Sequence, residues 1–192
     1  AAVIQETDRM IAVKQKTGRH VVIGYQAIPT PSIQTLKTTL VGGKPGKLKS
    51  IRVQAGWPRP DEYYTRNPWA GRLELDGAWV LDSPINNAAA HQVNNALYLA
   101  GPSPGESAEL VSVQAELYRA RDIESLDTGC LRAVTTDGVD IVIALSHVTQ
   151  EVFQPVIEVH CEKATVHWTH PTGDTVIRYS DGTEESFDNG DI

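Results

Sequence analysis

The sequence predicts an α+β fold: one open, mostly antiparallel sheet with helices packed on one face. Three observations carry this. From about Glu109 onward apolar and polar residues alternate, with Val111, Val113, Ala115 and Leu117 on one side and Ser112, Gln114, Glu116 and Tyr118 on the other. Ile141, Ile143 and Leu145 repeat the pattern, as do Ile157 with Val159 and Ile177 with Tyr179. Asp137-Gly138 and Asp181-Gly182 sit where tight hairpins need positive φ, and Thr172-Gly173-Asp174 marks a third turn. Before Glu109 the strongest signals are helical instead.

Taken in order, the chain opens on AAVIQETDRMIAVKQKTG, where Val3, Ile4, Met10 and Ile11 recur at helical spacing and Gly18 is the stop. HVVIGYQ, residues 20–26, reads as a buried strand. A helix with no strand before it is half of a β-α-β unit, so the chain is expected to begin inside a larger protein; a native N-terminal helix is the alternative. Thr30 and Pro31 then suit an N-cap and first helical residue, Ile33, Leu36 and Leu40 share a face, and Gly42-Gly43 ends that helix. KLKSIRVQA alternates as a strand, with Ile51, Val53 and Ala55 on one side. The segment from Gly56 to Trp79 has neither period and is rich in Pro, Arg and aromatics, the composition of a functional loop. Ser83-Pro84 opens the best-marked helix, expected from Ile85 to Ala100 and stopped by Gly101-Pro102.

Composition excludes several classes. The 192 residues carry 17 Lys+Arg against 24 Asp+Glu, a formal charge of −7, which argues against binding a phosphate backbone. Two cysteines cannot staple a chain of this length, and the 41% apolar share argues against disorder. No apolar run approaches the roughly 20 residues that span a bilayer. Neither nucleic acid nor membrane is therefore an expected partner. No GxGxxG, GxSxG or CxxC occurs. His160, Cys161, His167 and His170 cluster in sequence without a standard zinc spacing, so no metal is expected.

Two constellations could carry chemistry. On the Ile85–Ala100 helix, Ala90, Val93, Leu97 and Ala100 make an apolar stripe for the sheet. Asn87, His91, Asn94 or Asn95, and Tyr98 make a second stripe of uncharged hydrogen-bonding groups, which suits a partly dry cleft. His91 alone among them exchanges a proton near neutral pH. The competing reading is that these groups satisfy one another. In the loop, Arg59, Arg66 and Arg72 offer planar donors and Trp57, Tyr63, Tyr64 and Trp69 flat faces, a combination that suits a sugar-like or anionic small molecule. A lid or subunit contact would use the same residues.

The stretch VLDSPINNAAAHQVNNALYLAG, residues 80–101, resembles the substrate-domain helix of the Gfo/Idh/MocA oxidoreductases. Their pattern there is Asp-x-x-x-His-x-x-Asp with a Gly ten residues after the His; here it reads Asn87-x-x-x-His91-x-x-Asn94 with Gly101 in the matching place. Residues 21–53 are similar to the family's crossing between domains, and GWPRPDEYYTRNPWAG to one sugar-processing-like branch.

The resemblance implies a parent enzyme that uses NAD or NADP on a sugar, inositol or related polyol. Its nucleotide-binding half and a Glu-Lys-Pro motif would precede Ala1. Residues 1–26 would be the last helix and strand of a Rossmann fold, and residues 27–192 a substrate-binding and oligomerisation domain. The isolated chain would then hold no cofactor and be inactive. The resemblance further implies His91 as acid/base, with Asn87 in the place of the substrate-orienting Asp. Arg59, Tyr63, Tyr64, Arg66, Asn67, Trp69 and Asn94 are the expected substrate contacts. Asn87 can orient a hydroxyl but cannot hold its proton. A homo-oligomer through the sheet face is expected. The expected compartment is the cytoplasm, an export signal having its place upstream of Ala1. Two alternatives stand beside this reading: a non-redox carbohydrate-binding or oligomerisation module, and an NAD-assisted glycoside hydrolase of the same family.

Overall fold

The computed structural model describes residues 2–169 and 174–189. Its elements are α1 (Ile4–Thr17), α2 (Pro31–Val41), β1 (Leu48–Gly56), α3 (Asp61–Thr65), β2 (Glu74–Leu75), β3 (Ala78–Trp79) and α4 (Ala90–Leu99). Then come β4 (Leu110–Tyr118), β5 (Thr128–Thr135), β6 (Asp140–Ser146), β7 (Phe153–Cys161), β8 (Ala164–Thr169), β9 (Asp174–Tyr179) and β10 (Glu184–Asp188). Eight strands form one open sheet in the order β10-β9-β8-β7-β1-β6-β5-β4, while β2 and β3 make a separate ribbon. Only β1–β6 is parallel in the large sheet. This is the α+β architecture that the alternating runs predict.

Strand alternation sends one set of side chains under the helices. Ile51, Ile141, Val159 and Ile157 meet across β1, β6 and β7 and are fully or almost fully buried, together with Val166, Trp168 and Ile177. Ile33 and Leu36 of α2 and Leu99 of α4 close this core from above. Glycines with positive φ hold the two expected hairpins, Gly138 at 79° and Gly182 at 86°. The third turn falls on residues 170–173, outside the described residues.

Three expectations need correction. Residues 20–26 form no strand: among the described residues they have no ladder partner, and Val22 is 88% exposed. An apolar run becomes a strand only beside another strand, and both edges of the sheet lie elsewhere in this chain. The helix expected from Ile85 begins at Ala90, because residues 84–89 make a wider turn in which the Ala89 N–H donates to Pro84 O at 2.8 Å. The face of α4 is also rotated. Gln92, Asn95, Ala96, Tyr98 and Leu99 point inward, since α4 packs against α2 as well as against β1 and β7, while Val93 and Leu97 are half-buried. Tyr98 is therefore no cleft residue: its hydroxyl donates to Pro104 O at 2.9 Å and accepts from Gln34 Nε2 at 2.9 Å.

Gly101 stands where the chain folds back on itself. A Cβ there would lie 2.0 Å from Glu106 O and 2.7 Å from its carbonyl carbon, both backbone atoms that cannot swing aside. Gly101→Ala is expected to cost about 1–3 kcal/mol and to lower the thermal midpoint by several degrees in a calorimetric scan. An unchanged midpoint would contradict the close approach.

Candidate functional site

The Gly56–Trp79 segment is an ordered platform. Continuing β1, the Trp57 N–H donates to Ser146 O and the Arg59 N–H to His147 O, so the loop begins as an extension of the sheet. Pro60 then opens α3, whose Tyr63 ring is edge-on to Tyr64 at 5.2 Å and to the His147 imidazole at 5.8 Å. Arg66 Cζ lies 3.4 Å from the Tyr63 ring centroid and 5.0 Å from that of Trp69, and Arg59 Cζ lies 4.9 Å from Tyr63. Arginine stacked on aromatic faces keeps its in-plane donors free. Among the described residues neither Arg59 nor Arg66 has a carboxylate partner, whereas Arg72 pairs with Glu124 at 3.6 Å and Arg121 with Asp61.

Asn67 is placed differently from expectation. Its Oδ1 accepts from the Trp69 and Ala70 N–H groups at 3.1 and 2.8 Å, so it folds the turn that presents Trp69. Beyond it, Asp76 (φ 51°) and Gly77 (φ 77°) make the two-residue turn of the β2–β3 ribbon. Leu81 follows with φ 50°, a left-handed conformation that costs about 1 kcal/mol or more for a leucine. It is held there because Val80 N and Leu81 N both donate to Leu73 O. That kink turns Asp82 inward.

Asp82 ties the platform to the helix. It is 6% exposed; its Oδ2 accepts from Gly71 N at 2.8 Å and its Oδ1 from Asn87 Nδ2 at 2.7 Å. Asp82, Asn86 and Asn87 line a pocket of about 360 Å³ with Trp69, Trp79 and Glu6. The indole faces and the amides give it the mixed apolar and polar surface that binds polyhydroxylated molecules. A smaller, more apolar hollow of about 290 Å³ at the far ends of α2 and α4 touches none of these residues.

This geometry explains the amide at position 87. A carboxylate there would face the buried Asp82 carboxylate at hydrogen-bond distance. Asn87→Asp is expected to force a shared proton onto the pair. The folded-state pKa of the pair then lies above its unfolded value, so the variant gains stability as pH falls and loses it as pH rises. Urea midpoints at pH 5 and pH 8 check this; equal losses at both would contradict the contact.

His91 is half-buried in the first turn of α4, its ring edge-on to Tyr25 at 5.5 Å. It is not among the residues that line the pocket. Asn94 is half-buried with no side-chain hydrogen bond among the described residues, and Asn95 is fully buried, with neither amide atom partnered among them. The structure thus brings together Arg59, Tyr63, Tyr64, Arg66 and Trp69, and separately Trp69 with Asn87; Trp69 belongs to both groups.

Sequence reasoning missed His147 and Asp82. His147, at the end of β6, is 4% exposed; its Nδ1 is 3.4 Å from the Tyr64 hydroxyl and its Nε2 has no partner among the described residues. Burial first, then the Arg59 charge, pushes its pKa down to about 4, so the imidazole is neutral at pH 7. Burial and then the Asp127 charge push the Tyr64 hydroxyl up to about 12. Asp82 acts on both groups, which places the pocket and the aromatic platform side by side. A lone His after a strand gives no sequence signal, but Asp82 is part of the LDSP turn.

Among the described residues no three His, Cys, Asp or Glu converge as a metal site. Glu158 lies 3.7 Å from His167 and 4.0 Å from His160 on the open sheet face, and His170 lies outside the described residues. No described helix is long and apolar enough to cross a membrane.

Comparison with known proteins follows the fold. Residues 33–167 match the model of the GFO/IDH/MocA C-terminal domain, and the chain belongs to this family of oxidoreductases. The WlbA dehydrogenase of Chromobacterium violaceum, solved with NADH and UDP-GlcNAcA, superposes with a TM-score of 0.75 at 26% identity, covering 87% of this chain and 46% of that one. The WlbA dehydrogenase of Bordetella pertussis, with the same two ligands, gives 0.75 at 24% over 98% and 53%. The UDP-N-acetylglucosamine 3-dehydrogenase GnnA of Acidithiobacillus ferrooxidans gives 0.72 at 18% over 98% and 53%. The chain spans about half the length of these structures. A search of curated proteins gave no match.

Proposed function

We propose that this chain is the substrate-binding part of an NAD(P)-dependent oxidoreductase acting on a sugar or related polyol. The observation that carries the proposal is the pocket that Trp69 and Trp79 line together with Asp82, Asn86 and Asn87. Trp69 stacks on the apolar face of a sugar ring, while Asn87, its amide N–H group fixed by Asp82, offers its carbonyl to a hydroxyl. His91 exchanges the hydroxyl proton at an imidazole nitrogen. Dehydrogenase neighbours solved with NADH and a nucleotide sugar support a redox parent.

The described residues do not fit a dinucleotide. The one parallel strand pair, β1–β6, leads from Gly56 into Trp57-Pro58 and from Ser146 into His147, with no glycine-rich turn opening a helix. No described residue is therefore assigned to the nicotinamide.

The test uses the full-length protein, NAD⁺ or NADP⁺, and a panel of myo-inositol, glucose and glucuronate. Substrate-dependent formation of reduced nicotinamide is expected. Sugar binding without any reduction would favour the carbohydrate-binding module instead, a reading that the neutral, Asp82-committed Asn87 supports. We also propose that the uncovered sheet face, with Val142, Ala144 and Val156 among Arg52 and Glu158, pairs two copies. Arg52→Glu should then shift the protein toward monomer in sedimentation.

A further inference from the structure

We propose that the free edge of β4 docks a second copy of this chain: two β4 strands pair antiparallel about a two-fold axis at Gln114 and join two eight-stranded sheets into one. This contact is distinct from pairing through the sheet face and does not depend on it.

The two edges of the sheet are built differently. β10, at one edge, has five residues, and Glu184, Glu185 and Asp188 are three of them. Short, charged strands keep an open edge from pairing. β4, at the other edge, is nine residues long, LVSVQAELY, with Glu116 as its single charge and neither Pro nor Lys. Its ladder with β5 is regular from Ser112 to Tyr118, and no described backbone group bonds its free side. An edge of this length and composition is a template for another strand.

The second observation is an apolar stripe without a cover. The register carries Val113 through Ala133 to Ile141, and Ala115 through Leu131 to Ile143. Val111, Val113, Ala115 and Leu117 therefore lie on the face of the sheet that buries its core. The helices stop short of them, since α4 packs on β1 and β7. Val111, Val113 and Leu117 are left 65%, 58% and 56% exposed.

What fits the stripe is β4 itself, because its pattern reads the same in both directions from Gln114. An antiparallel pair centred there sets Val113 against Ala115, Val111 against Leu117, and Ser112 against Glu116 of the second copy. Apolar side chains meet apolar ones, and the two carboxylates are never opposed. Just beyond the strand, the same register faces exposed Glu109 with exposed Arg119 at both ends, a pair of opposite charge. An axis between two residues would set apolar against polar side chains. An axis on Val113 or Ala115 would keep the faces but move Glu109 away from Arg119.

Disulfide cross-linking of the full-length protein tests the register, with Cys130→Ser and Cys161→Ser removing the free thiols of this chain. Gln114→Cys puts the two new cysteines on facing residues, with Cα atoms about 4.5–5.5 Å apart and within disulfide reach. Ser112→Cys puts them roughly 14 Å apart along the strands, beyond that reach. Under mild oxidation, Gln114→Cys is expected to give at least about tenfold more covalent dimer than Ser112→Cys. Val113→Lys with Leu117→Lys should raise the dissociation constant of the edge pair at least about tenfold in sedimentation. Arg52→Glu, which tests the sheet face, should leave the Gln114→Cys cross-link in place.

Equal cross-linking at the two positions, none at Gln114→Cys, or a cross-link that Arg52→Glu abolishes overturns the proposal. So does a double lysine variant that sediments as the parent does. A lowered thermal midpoint in that variant would assign the cover of β4 to another part of the same protein.

Discussion

Replacing Lys37 with Met is expected to destabilise the protein by about 2–4 kcal/mol and lower its thermal midpoint by about 5–15 °C. Lys37 is fully buried beneath the α2–α4 contact. Its Nζ donates to Tyr98 O and Gly101 O at 2.6 Å and to Glu106 O at 3.2 Å, and it lies 4.9 Å from the Tyr98 ring centroid. These carbonyls close the C-terminal end of α4, where an α-helix has no amides left to offer. Methionine fills the space but takes the ammonium away from Gly101 O and Glu106 O, while Tyr98 O keeps the Gly101 N–H at 3.1 Å, a loss that costs more than the relief of burying a charge. The ammonium itself is under strain: burial lowers its pKa to about 8, against an opposing pull from Glu106. In the folded state it therefore loses its proton first, and between about pH 8 and the ordinary lysine range the unfolded chain binds more protons. Stability from this group rises with pH across that window. Urea unfolding of both proteins at pH 7 and pH 10 should show the gap widening at the higher pH. A variant as stable as the parent at pH 7 would mean that water replaces the amine.

What the sequence makes legible is whatever depends on near neighbours. Ile141, Ile143 and Leu145 alternate because one sheet face is covered, and the pairing of Asp with Gly at 137 and 181 reports a local φ requirement. Thr30 and Pro31 start α2 where those residue types dictate. The same logic applies to Asp76-Gly77, but β2 and β3 have two residues each, too few for alternation to show.

What is hidden depends on partners distant in the chain. His147 meets Tyr64 across 83 positions, and nothing around HVTQ announces it. Asn95 and Tyr98 read as cleft residues because the helix pattern cannot reveal that α2 covers a second side of α4. Residues 85–89 read as helix because propensity cannot see the Asp82–Asn87 hydrogen bond. The aromatic loop is recognisable by composition, yet only the fold separates Arg59 and Arg66 from Arg72, which Glu124 neutralises.

His91→Ala in the full-length protein is expected to lower turnover by about 10²–10⁴-fold while leaving the fold intact. His91 is half-buried, edge-on to Tyr25 and outside the core cluster, so truncation leaves no large void in the core around Ile33, Leu36 and Leu99. The other candidate for proton exchange fails on chemistry. Asn87 is an amide whose N–H is bound to Asp82, and the Asp82 carboxylate already accepts two hydrogen bonds. His147 is a weaker base, since burial pushes its pKa down to about 4, and its Nδ1 already faces the Tyr64 hydroxyl. His91 is therefore the group on which the proposed proton exchange is tested first. The pH profile distinguishes a chemical role from a positional one: the limb of kcat/KM that reports an imidazole should disappear in His91→Ala. Asn87→Ala should instead raise KM and change kcat less, because it removes an orienting contact and no proton acceptor. Full turnover in His91→Ala, with the same pH limb, would assign the proton elsewhere and leave His91 as a packing partner of Tyr25.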